Sequence, residues 1–192
     1  IEIIKGEKRM NIAVLGAGSM ACAMGAHLGR KDYRIKLWSK FPDEAEKINL
    51  LKENPDKLPY IKMPDNTRCY IDINETIKDA DILIIALPSQ IIRKTLSEIS
   101  RFNTNIPVVC CSKGIEENTG NTMAEVIEKS LPDSKVVVLS GPSHAEEIGR
   151  RIPTAVVAAS KHRDMALKVQ DVFMSDKFRV YTSKDVKGVE LG

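Results

Sequence analysis

At 192 residues, with 43% hydrophobic and 29% charged residues, the chain is long enough for one well-buried core and has the balance of an ordinary globular protein. Its 29 basic and 26 acidic residues leave a net charge of +3 scattered along the length, which excludes the concentrated basic stripe that nucleic acid demands. No apolar run approaches the roughly 20 residues of a membrane helix, and no hydrophobic stretch precedes a small-residue cleavage site, so neither nucleic acid nor membrane is expected as a partner.

Residues 1–10 read as a leader, natural or left over from cloning, with a basic lead-in over Lys5 to Arg9. Asn11 to Gly16 then forms the first apolar run short enough for a buried strand. The segment after Gly18 carries Ala21, Met24 and Leu28 on one helical face. Arg34 to Ser39 is the second strand, and "DEAEKINLLKE" (Asp43 to Glu53) places Ala45, Ile48 and Leu51 together. Between Asn54 and Tyr70, Pro55, Pro59 and Pro64 space out an irregular insertion before a short strand at "YIDI". Further strands are expected at Asp81 to Ala86, Pro107 to Ser112 and Val136 to Ser140, with a helix over Gln90 to Ser100 striped by Ile91, Ile92, Leu96 and Ile99. Near-continuous apolar strands such as "ILIIAL" need cover on both faces, as in a parallel sheet between helix layers. "TAVVAAS" (Thr154 to Ser160) and "FRVYT" (Phe178 to Thr182) flank a helix from Arg163 to Phe173 and extend the sheet with an antiparallel element.

The chemistry concentrates where these strands end. Gly16-Ala17-Gly18-Ser19-Met20-Ala21 fits G-x-G-x-x-G/A placed between a strand and a helix. The first glycine makes the tight turn, the second lets bare backbone approach a pyrophosphate, and the helix N-terminus favours the anion. Dinucleotide binding is the reading. The second strand ends in Trp38, Ser39 and Lys40, without the carboxylate that usually takes the ribose. Ser39 can donate to a 2′-phosphate and Lys40 can neutralise it, so NADPH is tolerated and preferred over NADH.

"ALPSQ" brings Pro88 and Ser89 to the lip of the crevice, Ser89 either as a ligand or as a helix cap. Lys113, just past the fifth strand, and Gly141, Pro142 and Ser143, just past the sixth, would form a receptor for a small anionic substrate at the same sheet edge. His144, His27 and His162 lack metal-ligand spacing, and no metal is expected. Glu146 and Glu147 complement a helix N-terminus. Cys22, Cys69, Cys110 and Cys111 form no C-x-x-C pair and read as reduced thiols of a cytoplasmic protein.

Taken together, "GAGSM", "LWSK", "ALPS", "SKGIE", "LSGPSHAEE", "PTAVVAAS" and "FRVYTSKDVKGVELG" resemble, in order from Asn11 to Gly192, the N-terminal part of the NAD(P)-dependent glycerol-3-phosphate dehydrogenases. The resemblance implies a Rossmann-type doubly wound α/β fold over residues 11–192, mostly parallel, with helices on both faces and extra strands at the C-terminal end. It implies hydride transfer between NAD or NADP and the pair dihydroxyacetone phosphate and sn-glycerol 3-phosphate, for phospholipid synthesis, by a homodimer when full-length. It puts Ser19, Met20 and Lys40 on the cofactor, Lys113 on cofactor and substrate, Gly141 and Ser143 on substrate, and Ala145 on the cofactor. Met20, Ala21 and Cys22 depart from the family's aromatic, glycine and threonine; Tyr60 and His144 are further departures.

No catalytic residue is expected within the chain. In the family the proton-transferring lysine lies in "GALKN", a few residues past "GVELG", and an all-helical substrate domain follows; with both absent, the chain is expected to bind nucleotide and turn over negligibly. The alternatives are a related 3-hydroxyacid or phosphosugar dehydrogenase domain and a non-catalytic NAD(P)-sensing module.

Overall fold

The computed structural model describes residues 9–192; most of the leader, and with it Lys5 to Lys8 of the basic lead-in, lies outside the described residues. Among the described residues, eight strands form one sheet: β1 (Asn11–Leu15), β2 (Arg34–Trp38), β3 (Thr67–Tyr70), β4 (Ile82–Ile85), β5 (Pro107–Cys110), β6 (Lys135–Ser140), β7 (Thr154–Ala159) and β8 (Phe178–Ser183). Their order is β3-β2-β1-β4-β5-β6-β7-β8. The first six strands are parallel neighbours, β7 runs antiparallel to β6, and β8 runs parallel to β7. The chain starts in the middle and winds outward in both directions, so the connections leave β1 and β4 on opposite sides. The crevice between those two strand ends is where open α/β sheets hold ligands.

Among the described residues, eight α-helices cover the two faces. Beneath one face lie α1 (Ser19–Gly29), α2 (Pro42–Leu51), α6 (Ala145–Gly149) and α7 (Arg163–Phe173), with Leu28, Ile48, Ile148 and Phe173 in the same buried cluster as Ile12, Val14 and Ile35. Against the other lie α3 (Ile73–Ile77), α4 (Ile92–Leu96), α5 (Met123–Ser130) and α8 (Val186–Leu191), clustered with Leu15, Leu83, Ile85 and Val108. The fully apolar strands thus acquire cover on both sides, as their composition requires.

Helix α1 is buried almost all round because its small residues let neighbours approach. A methyl group at Gly25 would stand 3.4 Å from the tips of Leu37 and Met63. At its C-terminal end His27 lies buried, Nε2 facing the Phe173 carbonyl at 2.7 Å and its ring 4.7 Å from that of Phe178. Burial pushes its pKa down, so the ring is neutral and Nε2 carries the proton it donates. Lys31 then caps α7, its Nζ donating to the carbonyls of Val172 (2.7 Å) and Met174 (2.6 Å).

Three sequence expectations change. The short edge strand is Thr67–Tyr70, not "YIDI": Asn49 on α2 pairs with both backbone groups of Cys69 at 2.8 Å, which fixes the strand earlier, while Asp72 caps α3 by accepting from Asn74 N and Glu75 N. The helix expected over Gln90–Ser100 is a 3-10 turn, Ser89–Ile91, followed by the short α4, and Ile91 is exposed. The proline-spaced segment after Asn54 is irregular but not peripheral, since Leu58, Ile61 and Met63 are buried in the core beside α1.

Candidate dinucleotide site

Gly16 leaves β1 at φ +124, and a Cβ there would stand 2.5 Å from the Ala86 carbonyl oxygen at the end of β4. Only glycine meets both conditions. Two residues on, Gly18 is the N-cap of α1, with open space where its side chain would be, no side-chain cap and no acidic residue in the first turn. The free N–H groups and positive dipole end of an eleven-residue helix therefore face a void.

That void is a cavity of about 530 Å³. Gly16, Gly18 and Ser19 line one side, Ser39 and Lys40 another, and Ala86, Leu87 and Pro88 a third. Its lip is locked by Ser112, whose Oγ donates to the Leu87 carbonyl at 2.6 Å and accepts from the Leu87 N–H at 3.0 Å. The residues present fit a dinucleotide: bare backbone at the turn, no carboxylate at the helix end, and room between the β1 and β4 edges.

Ser39 itself is buried and already engaged. Its Oγ donates to Glu44 Oε2 and accepts from Phe41 N at 3.1 Å. The expectation of a ribose end free of carboxylates, and of Ser39 as a donor to a 2′-phosphate, is corrected by this contact: the acid comes from the first turn of α2, six residues past the end of β2. Asn54 is the other residue the sequence did not reveal. It is 1% exposed, and its Nδ2 donates to Ala17 O (2.8 Å) and to Glu44 Oε1 (3.0 Å), tying the glycine loop to α2. Its one sequence signal is an asparagine ahead of proline, which reads simply as a turn.

Further along the same sheet edge, Lys113 Nζ donates to Gly141 O at 3.3 Å, and Ser143 Oγ donates to the same carbonyl at 3.3 Å. The three residues expected to hold an anionic substrate are thus brought together. Gly141 is required for packing: a Cβ would stand 2.8 Å from Ala155 O on β7. Lys113 opens onto a separate small recess with Ser112, Gly114 and Glu190, not onto the cavity at Gly18. Met20 and Ala145 pack into the core at the first turns of α1 and α6 and do not line the cavity either. Ser89 makes no helix cap; its Oγ accepts from the neighbouring Gln90 side chain. Glu147 Oε2 accepts from His144 N at 3.2 Å, the helix-start role expected of it.

The loop bearing Lys113 is held from below. Gln90 donates to Ile115 O and accepts from Glu117 N, and Arg93 grips Glu116 with two 2.8 Å bonds. The Arg93 guanidinium, then the Thr119 hydroxyl, hold the Glu116 carboxyl down to about 2. A lowered folded pKa contributes stability above the unfolded value, 4.5, that is lost as pH falls through 2. Carboxyl NMR titration is expected to place the Glu116 midpoint near 2, and Arg93→Met to raise it toward, but not fully to, the ordinary glutamate range, since the Thr119 hydroxyl still donates to it, with earlier acid loosening of the Lys113 loop.

All four cysteines are buried and unpaired, and burial pushes the Cys22, Cys69 and Cys110 thiols up to about 12 and Cys111 in the same direction. Among the described residues no cluster of three or more His, Cys, Asp or Glu side chains is arranged to hold a metal, and no helix is long and apolar enough to cross a membrane.

Residues 11–166 match the family model described as the NAD-dependent glycerol-3-phosphate dehydrogenase N-terminus. The chain belongs to this family. Among its relatives, the glycerol-3-phosphate dehydrogenase [NAD(P)+] of Agathobacter rectalis is 44% identical over 182 residues, covering 94% of this chain and 54% of the relative. That of Clostridium perfringens is 40% identical, covering 94% and 55%. The chain therefore spans about half the length of the curated relatives it matches. The crystal structure of glycerol-3-phosphate dehydrogenase from Coxiella burnetii superposes with a TM-score of 0.88 at 28% identity, over 95% of this chain and 56% of that one. A GDP-mannose dehydrogenase structure, at a TM-score of 0.72 and 15% identity, shares the fold alone.

Proposed function

We propose that the family's N-terminal domain, as it stands here over residues 11–192, binds NAD or NADP, and that in a polypeptide of the relatives' full length it serves reversible hydride transfer between dihydroxyacetone phosphate and sn-glycerol 3-phosphate. The observation that carries the reading is the bare glycine turn opening, at an uncapped helix N-terminus, onto a cavity of about 530 Å³. The nicotinamide would supply or accept the hydride. Gly16, Gly18 and Ser19 hold the diphosphate; Lys40 and Pro88 flank the nucleotide; Met20 and Ala145 set the first turns of α1 and α6 beside it.

Lys113, with Gly141 and Ser143, receives the anionic substrate, and its ammonium orients and polarises the ketone oxygen. Reduction leaves an alkoxide, so a proton must arrive at that oxygen. We assign that role to a lysine of the family's second half, not to Lys113. The homodimer, the cytoplasmic setting and the destination in phospholipid synthesis belong to the same reading and rest on the family resemblance. A related 3-hydroxyacid or phosphosugar dehydrogenase, or a nucleotide-sensing module, is disfavoured by the family match.

The test has two arms. Titrating the purified chain with NADH is expected to change its fluorescence saturably below millimolar ligand; no change at millimolar ligand overturns the dinucleotide reading. The protein extended by the second half is expected to oxidise the reduced nucleotide only when dihydroxyacetone phosphate is present. Equal oxidation with unphosphorylated dihydroxyacetone would overturn the substrate assignment.

A further inference from the structure

The geometry points to Glu44 as the residue that reads the 2′ position of the adenosine ribose, biasing this chain toward the dinucleotide with a free 2′-hydroxyl. The inference rests on the dinucleotide reading above and adds to it which nucleotide is favoured and by what contact.

In dinucleotide folds the ribose is commonly met by a carboxylate at the end of the second strand. Here that position is Ser39, a hydroxyl. Helix α2 begins at Pro42, almost at once after the strand, and its first turn swings Glu44 back to the strand end, where it lines the same cavity as Gly16 and Gly18. Both carboxylate oxygens are anchored: Oε2 accepts from Ser39 Oγ, and Oε1 accepts from Asn54 Nδ2 at 3.0 Å. Because the same Asn54 amide nitrogen holds Ala17 O at 2.8 Å, the carboxylate, the strand end and the glycine loop form one hydrogen-bonded unit.

An ionised carboxylate offers about four acceptor positions, and two are taken; the remaining lone pairs are available to ribose hydroxyl donors. A phosphate monoester at the same place offers no such donor in its ionised form and brings like charge. Ser39 cannot relieve it, since its proton already goes to Glu44. The opposing pull comes from Lys40, on the same wall of the cavity, with Lys57 and Lys94 as further cations and Glu98 as a further anion along the lining. Lys40 lets a 2′-phosphate be tolerated, and Glu44 decides against it.

A second role for Glu44 is helix complementarity, as an acid in the first turn of α2. That role affects stability but not the ratio of affinities for two nucleotides, so the ratio is the deciding readout. NADH and NADPH are titrated separately against the wild-type chain and Glu44→Gln, binding being followed by nucleotide fluorescence and folding by circular dichroism. The wild type is expected to bind NADH more tightly. Glu44→Gln is expected to shift the ratio of dissociation constants about tenfold toward NADPH, roughly 1.4 kcal/mol, chiefly by tightening NADPH.

A wild-type chain that prefers NADPH overturns the inference whatever the variant does. So does a folded Glu44→Gln whose ratio stays within about twofold of wild type on a scale where tenfold is 1.4 kcal/mol. Ser39→Ala, which keeps the charge and frees one anchor, is expected to shift the ratio in the same direction by less; a shift toward NADH counts against the inference. If neither nucleotide binds the wild type, the dinucleotide reading itself falls, a result distinct from an unchanged ratio.

Discussion

Gly16→Ala is expected to destabilise the fold by about 2–6 kcal/mol and to abolish dinucleotide binding, the sum of a strained backbone and a forced overlap. The backbone cost arises because φ at Gly16 is +124, beyond the left-handed region that side chains other than glycine visit. The steric cost arises because the new methyl would stand 2.5 Å from the Ala86 carbonyl oxygen, an atom of the main chain that no rotamer change can move. Relief requires β1 and β4 to separate where the crevice opens, yet Ala86 N donates to Leu15 O at 3.0 Å and Gly16 N to Trp38 O at 3.0 Å. The strain is therefore shared among three central strands. For a chain of this size each kcal/mol lowers Tm by roughly 2–4 °C, so a fall of about 10 °C in a calorimetric scan, with no nucleotide-dependent rise, is the expected record. A variant that melts within 2 °C of wild type, on the order of the shift for one kcal/mol, would show that the elbow yields cheaply.

The parts legible in the sequence are those where one physical requirement has one chemical solution. A strand buried on both faces must be apolar throughout, so "ILIIAL" announces β4, and a sharp turn beside a neighbouring carbonyl must be glycine, so Gly16 announces the elbow. Lys113, Gly141 and Ser143 were legible as a group because strand ends in a parallel sheet converge on one edge. What escaped has the opposite character. β3 is an edge strand whose position is set by Asn49 reaching across from α2, and nothing in "TRCY" outcompetes the more apolar "YIDI" nearby. Glu44 looks like one more acid on an exposed helix face, and Asn54 like a turn residue before proline. Their roles exist only once α2 folds back on the strand end, so they are properties of the tertiary structure. A carboxylate beside Ser39 is hidden from the sequence for the same reason: Glu44 reaches the strand end through space from α2, not along the strand.

Gly18→Val isolates the second requirement from the first. Unlike Gly16, Gly18 sits at φ −70 and ψ −176, ordinary extended backbone, with nothing within 4 Å of where a Cβ would be. Valine adopts that conformation without strain, and the N-cap substitution should cost only about 1 kcal/mol, or roughly 2–4 °C in Tm. The new methyl groups, however, would project into the cavity at the uncapped N-terminus of α1, where the proposed function places the diphosphate, and would put apolar bulk in front of its main-chain N–H groups. Binding of either reduced nucleotide is expected to weaken by at least about 100-fold, some 2.8 kcal/mol, while the melting curve barely moves. Isothermal titration beside thermal denaturation separates the two effects. Retained affinity in Gly18→Val would mean that the diphosphate does not approach this turn, and the cavity, however well shaped, would then need a different occupant.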